Sequence, residues 1–163
     1  MPTPASPISV TSTIDTATWV DGDPKTGTWR EAANEWGNLT IMGRAYVSNS
    51  FVDGNSATFG NNESPMEGLI PDFAGDPNTI YGGTDDDYSA GALAYVSIRY
   101  GGRVVGLANE LNGLSLGGIG RGTDIDHIEI MNNVDDGIEL WGGTVNLENC
   151  AVWNIGDDSV DAD

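Results

Sequence analysis

Sliding residues 133–163 against themselves by 22 positions lays Asp135-Asp136 on Asp157-Asp158, Ile138 on Val160 and Glu139 on Asp161. One step further back, the same shift lays Val145 on Thr123, Leu147 on Ile125, Cys150 on Ile128 and Val152 on Ile130. A fixed period in the twenties marks stacked units, none of which can bury its apolar face alone. Leu93, Val96 and Ile98 share the spacing of Ile125, Ile128 and Ile130, and Leu114 and Leu116 match Ile138 and Leu140. Successive turns of the chain therefore use one inward-facing template.

The 23 glycines, the heavy use of Asn, Asp, Thr and Ser, and the lack of any long segment of period 3.6 exclude a helical fold. The pairs Gly101-Gly102, Gly117-Gly118 and Gly142-Gly143 punctuate corners. A propeller needs a longer repeat, a leucine-rich repeat needs a regular Leu/Asn consensus, and an antiparallel sandwich gives no constant self-match. The expected fold is all-β: a right-handed parallel β-helix with coils of about 22 residues. Residues 1–35, with Asp21-Gly22-Asp23-Pro24 as turn chemistry and Ile8, Val10, Ile14, Trp19 and Val20 as strand formers, are expected to cap its N-terminal end. Residues 36–163 are expected to form the helix, ending inside the Asp-Asp coil as if further coils were cut away. Trp36 to Val47 alternates as two short strands would. Asn49 to Asp87 reads as one long loop, with turn signals at Asp53-Gly54-Asn55, Asn61-Asn62 and Asp76-Pro77-Asn78.

Charge narrows the partners. With 25 acidic against 6 basic residues, Lys25 being the only lysine, the net charge of −19 repels phosphate backbones and anionic membranes. Nucleic-acid binding is excluded on that ground, and divalent cations are the natural counter-ions. No apolar run approaches the ~20 residues of a membrane-spanning helix, and Met1-Pro2-Thr3-Pro4 lacks the features of a secretory signal. Cys150 has no partner for a disulfide and reads as a small core residue; with one His and one Cys, a zinc site is not supported. His127 aligns with Asn149 and reads as a turn residue, and Arg99 is expected to pair with Glu110 across coils.

The stretch Asn109 to Thr123, with Asp126-His127, Asp136 to Asn146 and Gly156 to Ser159, resembles a family of bacterial cell-surface β-helix proteins of planctomycete and Bacteroidetes type, many of them secreted. Glu35 to Ala45 and Tyr81 to Asp86 carry the same likeness, which covers about residues 35–163. The resemblance implies an extracellular or cell-surface location and an adhesion, surface-structure or polysaccharide-binding role, but no chemistry that transfers residue by residue.

Stacking would set Asp135 over Asp157, Asp136 over Asp158 and Glu139 over Asp161, one strand spacing of ~4.8 Å apart. Six carboxylates so close must bind a cation, protonate, or fan into solvent. Ca²⁺, which takes oxygen ligands in flexible turns, is the expected cofactor at Asp135, Asp136, Asp157 and Asp158, with Asp85, Asp86 and Asp87 as a second cluster. Trp141, beside Glu139 and Asp161, is expected to face outward as a platform for a sugar ring or else to pack under a loop. More weakly, Asn133-x-Asp135-x-Gly137 and Gly156-Asp157-Asp158 resemble active-site motifs of polygalacturonase-type glycosidases. That similarity would make Asp135, Asp157 and Asp158 the acid and base of an inverting hydrolase. Asp136 departs from the motif spacing, and the later motifs have no counterpart. A structural unit that self-associates through an open C-terminal coil is the third reading.

Overall fold

The computed structural model describes residues 2–47, 62–69, 76–107 and 109–163. The first coil holds β1 (Ile8–Val10) and β2 (Leu39–Met42), and an excursion follows with β3 (Glu63–Pro65) and β4 (Ile80–Gly82). The second coil runs through β5 (Ala92–Arg99), the short strands β6 (Val104–Gly106) and β7 (Asn109–Glu110), and β8 (Leu114–Ile119). The third holds β9 (Asp124–Asn133) and β10 (Ile138–Gly143), and the fourth β11 (Asn146–Glu148), β12 (Ala151–Ile155) and β13 (Val160–Ala162).

Nine of these strands stack into two parallel sheets, and β3–β4 and β6–β7 form separate antiparallel pairs. One is ordered β1-β5-β9 with β11 and β12 both on β9; the other is ordered β2-β8-β10-β13. The register is the one the apolar template demands. Leu93, Val96 and Ile98 lie on Ile125, Ile128 and Ile130, Leu147 and Val152 lie on Ile125 and Ile130, and Leu114 and Leu116 lie on Ile138 and Leu140. The buried core between the sheets is made of these residues with Ile119, and Cys150 packs at its margin.

The vertical step is 22 residues between the third and fourth coils, from Asp124 to Asn146 and from Ile138 to Val160. It is longer upstream. Ala92 to Asp124 spans 32 residues, because the β6–β7 hairpin is inserted, and Leu39 to Leu114 spans 75, because that interval holds both the hairpin and the β3–β4 excursion.

Corners are set by backbone conformation, and they stack as strictly as the strands. Tyr95, His127 and Asn149 form one column of left-handed residues with φ of 54°, 52° and 51°. Tyr100, Asn132 and Asn154 form a second, with φ of 60°, 57° and 55°, and Gly118 and Gly142 a third, with 57° and 61°. A left-handed conformation costs a side-chain-bearing residue roughly 1–2 kcal/mol, less for Asn. In the second column vertical bonds offset that cost: Asn154 donates from Nδ2 to Asn132 Oδ1, and Asn132 donates to Arg30 O at 3.0 Å.

Three expectations are corrected. Leu39–Met42 is the only strand between Trp36 and Val47, because Gly43 to Val47 turn out of the sheet and Val47 enters a second, smaller core with Met66 and Tyr81. Of the N-terminal strand formers only Ile8 and Val10 extend β5; Ile14 sits in a one-turn helix, Thr13–Thr16, whose first turn is capped by Ser12 Oγ accepting from Asp15 N–H at 3.1 Å. Arg99 lies 3.7 Å from Glu129 rather than pairing with Glu110, since Glu110 is carried away on the hairpin. The turn signals at Asp53-Gly54-Asn55 and Asn61 lie outside the described residues. No helix among the described residues is long and apolar enough to cross a membrane.

Ile130 is fully buried in the main core, where partial collapse cannot refill the space of a lost side chain. Ile130→Ala should lower unfolding free energy by about 2–5 kcal/mol in denaturant titration. Leu107→Ala, at a fully exposed hairpin position, should stay within about 0.5 kcal/mol.

Candidate functional site

The turn from β9 into β10 is built by its own side chains. Asn133 Nδ2 donates to Leu111 O at 3.0 Å and to Asp136 O at 2.9 Å, and Asp136 N–H donates to Asn112 Oδ1 at 3.2 Å. Vertical backbone bonds continue the column, with Gly113 N–H on Asp136 O and Gly137 N–H on Asp158 O, both 2.9 Å. Asn112, Asp136 and Asp158 therefore occupy equivalent places in three successive coils. Asn112 is the uncharged member, and it binds both neighbours: its Oδ1 takes the Asp136 N–H, and its Nδ2 donates to Glu139 Oε2.

Two carboxylate triads result, and they share Asp136. The first is Asp135, Asp136 and Asp157, and the second is Asp136, Glu139 and Asp161, each with one oxygen per residue inside a mutual distance of 4.8 Å. Glu139 lies directly on Asp161 in the β10–β13 register. Ca–O distances of about 2.3–2.6 Å allow oxygens up to about 5 Å apart to share one ion, so either triad fits Ca²⁺. Asp136 and Glu139 are 7% and 5% exposed, so an ion held between them would be partly dehydrated.

Burial and mutual repulsion push Asp135, Asp136 and Glu139 upward. Glu139 is raised to about 8, first by burial and then by the nearby Glu67; the Trp141 indole N–H favours its charged form in part but meets hydrogen-bond geometry with no partner. Burial also raises Asp135, with Asp136 adding to it, and raises Asp136 against the opposing Asp158 N–H. Glu67 and Asp163 shift the same way, burial again leading. No basic side chain makes an ion pair with this cluster among the described residues.

The remaining expected site residues fall elsewhere. Asp158 is in neither triad; it contributes its backbone N–H, 2.9 Å from Asp136 Oδ1. Asp135 and Asp157 each place one carboxylate oxygen within 4.8 Å of the other's. Asp85, Asp86 and Asp87 gather into no such cluster. Asp85 Oδ1 accepts the Asp87 N–H at 3.2 Å, Asp86 accepts the Tyr46 N–H at 3.1 Å, and Arg121 pairs with Asp86 and Asp87 at 3.6 and 3.2 Å. Trp141 is half-buried against the Val47, Met66 and Tyr81 core instead of standing free, because Gly117 beside it leaves room for Met66 and Tyr81. His127 is a corner residue, its Nδ1 2.7 Å from Asp126.

Three contributors escaped the sequence reading. Asn112 was legible in principle, since Asn112-Gly113-Leu114-Ser115-Leu116 aligns with Asp136-Gly137-Ile138-Glu139-Leu140, but at a step of 24 rather than 22. Glu67 belongs to the excursion and has no repeat partner. Glu110 bears on Asp135 only because the hairpin folds back to it.

A carboxyl with its native value raised is bound to a proton in the folded chain over a range where the unfolded chain has released it. For Glu139 that range lies between the ordinary glutamate value and about 8, so stability should fall as pH rises through it and level off above. Melting temperature in chelator should therefore decline from pH 5 to pH 8, and Glu139→Gln should flatten the decline. An unchanged slope in that variant would place the titration on another group.

No curated protein and no solved structure gives a significant match to the chain. A family model described as a pectate-lyase-like β-helix domain matches residues 25–163, which takes in β2 through β13 and both carboxylate triads. The chain belongs to the family of pectate-lyase-like β-helix domains.

Proposed function

We propose that this chain is a secreted or cell-surface β-helix domain that binds Ca²⁺ through Asp135, Asp136, Glu139, Asp157 and Asp161 and serves adhesion, surface structure or polysaccharide binding. The observation that carries the cation is the pair of triads interlocked through buried Asp136. Buried carboxylates with raised proton affinity and no cationic partner are stabilised by a divalent ion more than by water. Family membership is compatible with a polysaccharide-related role. In this reading the coils wind right-handed, the 22-residue step is the undecorated coil, residues 1–35 close the N-terminal end by laying β1 on β5, and 36–163 form the helix. The charge of −19 suits a calcium-rich medium outside the cell, where bound cations offset self-repulsion.

The glycosidase reading is the weaker one. It needs Asp158 as a reacting carboxyl, and Asp158 lies outside both triads.

Calcium at about a hundred times its dissociation constant should stabilise the fold by roughly 2.7 kcal/mol, or raise its melting temperature by about 5–10 °C. Asp136→Asn should remove most of that increment, since Asp136 serves both triads, while Asp158→Asn should keep it. A melting transition that does not move across millimolar Ca²⁺ would refute the cation site.

A further inference from the structure

The outer face of the β5-β9-β12 sheet holds a groove of about 310 Å³, at the small end of ligand-binding cavities. Ile98, Ile130 and Val152 point from these strands into the core, so the alternating Ser97, Arg99 and Glu129 lie on the outer side, where Ser97 is buried and the Arg99 and Glu129 side chains are 20% and 39% exposed. They form one connected network. Ser97 Oγ donates to Glu129 Oε2 at 2.5 Å, Arg99 Nε donates to Ser97 Oγ at 2.7 Å, and an Arg99 amino nitrogen lies 3.7 Å from Glu129. At one end the Tyr95 ring lies against His127, with centroids 4.5 Å apart and planes tilted by 31°. Beside the groove stands Trp153, 41% exposed, with its indole N–H 3.4 Å from Glu129 Oε1. Pro4 and Pro7 line the groove from the N-terminal segment, with little conformational freedom to lose on binding.

We infer that this groove is a second, cation-independent site, which takes a neutral pyranose sugar between the aromatic side chains and the Ser97-Arg99-Glu129 network; the inference rests on the polysaccharide part of the proposed function. Three features select that ligand. A guanidinium beside a carboxylate offers donors next to acceptors, which matches vicinal hydroxyls that both give and take hydrogen bonds. Arg99 is already neutralised by Glu129, so the floor presents no free positive charge for a carboxylate, and Asp126 and the net charge of −19 repel one. The exposed Trp153 ring and the half-buried Tyr95 ring that lines the groove carry the negative side of the ring quadrupole on their faces, which attracts the polarised C–H face of a sugar. An anionic uronate satisfies the first and third features and fails the second. The site sits on a different sheet from the β10–β13 strands that carry Glu139 and Asp161.

The test is a two-dimensional ¹⁵N spectrum of the full chain, in chelator, titrated with gluco-, manno-, galacto- and xylo-configured tetrasaccharides and with tetragalacturonate. Trp153→Tyr, which deletes one indole cross-peak, assigns the Trp153 signal. At least one neutral sugar should shift that signal, with an affinity indifferent to Ca²⁺ and to Asp136→Asn. Trp153→Ala and Glu129→Gln should each weaken binding tenfold or more, and Trp153→Tyr should restore part of the loss, with melting temperatures confirming that all variants fold. A neutral sugar that binds without moving Trp153, or whose affinity survives both variants, overturns the groove and leaves the polysaccharide reading standing. Preference for the uronate also overturns it. Absence of binding by all five sugars overturns both.

Discussion

Parallel stacking in register is the constraint on which this molecule depends. Each residue sits on its counterpart one coil away, so whatever one position does, the position above it must also be able to do. For apolar residues the rule is favourable: Val96, Ile128 and Cys150, or Ile98, Ile130 and Val152, pile into continuous inward columns. For corners it is restrictive, because a coil can turn only where its neighbours turn. Hence left-handed backbone recurs at Tyr95, His127 and Asn149 and again at Tyr100, Asn132 and Asn154, although Tyr, unlike Asn and His, does not adopt it readily.

For charged residues the rule creates the candidate site. Repeating an Asp-Asp turn in adjacent coils brings Asp135, Asp136 and Asp157 together whether or not repulsion favours it. The coil beneath relieves the repulsion with Asn112, which replaces a carboxylate by an amide that both accepts from Asp136 and donates to Glu139. The excursion works in the opposite direction. Glu67 comes down beside Glu139 and adds another negative charge, while Met66 and Tyr81 cover the neighbouring Trp141.

The two sheets have different surfaces. On β10 and β13 the outward residues are Glu139 and Asp161, and the charge there is uncompensated. On β5 and β9 the outward residues are Ser97, Arg99 and Glu129, which satisfy one another and lie beside aromatic rings. A β-helix can carry such different chemistries because its core uses only alternate positions of each strand, and the other positions are free of the packing requirement.

The sequence by itself determined the β class, the inward template, the stacking of Asp135 with Asp157 and of Glu139 with Asp161, and the place of His127 at a corner. Each follows from a period, and a period survives without coordinates. It gave no sign that the backbone N–H of Asp158 would meet Asp136, because a self-match aligns residues but does not say which side of a turn a carboxyl leaves from. It likewise read Asp85-Asp86-Asp87 as a possible ligand set, since the pairing with Arg121 joins residues 34 and 35 positions apart with no repeat to announce it. Only the tertiary structure decided that Glu67 and Glu110 approach the acidic cluster, that Trp141 lies beneath the excursion, and that Tyr95, Glu129 and Trp153 share one face. Those contacts are made by insertions or span different coils at unequal steps, and no single period relates them.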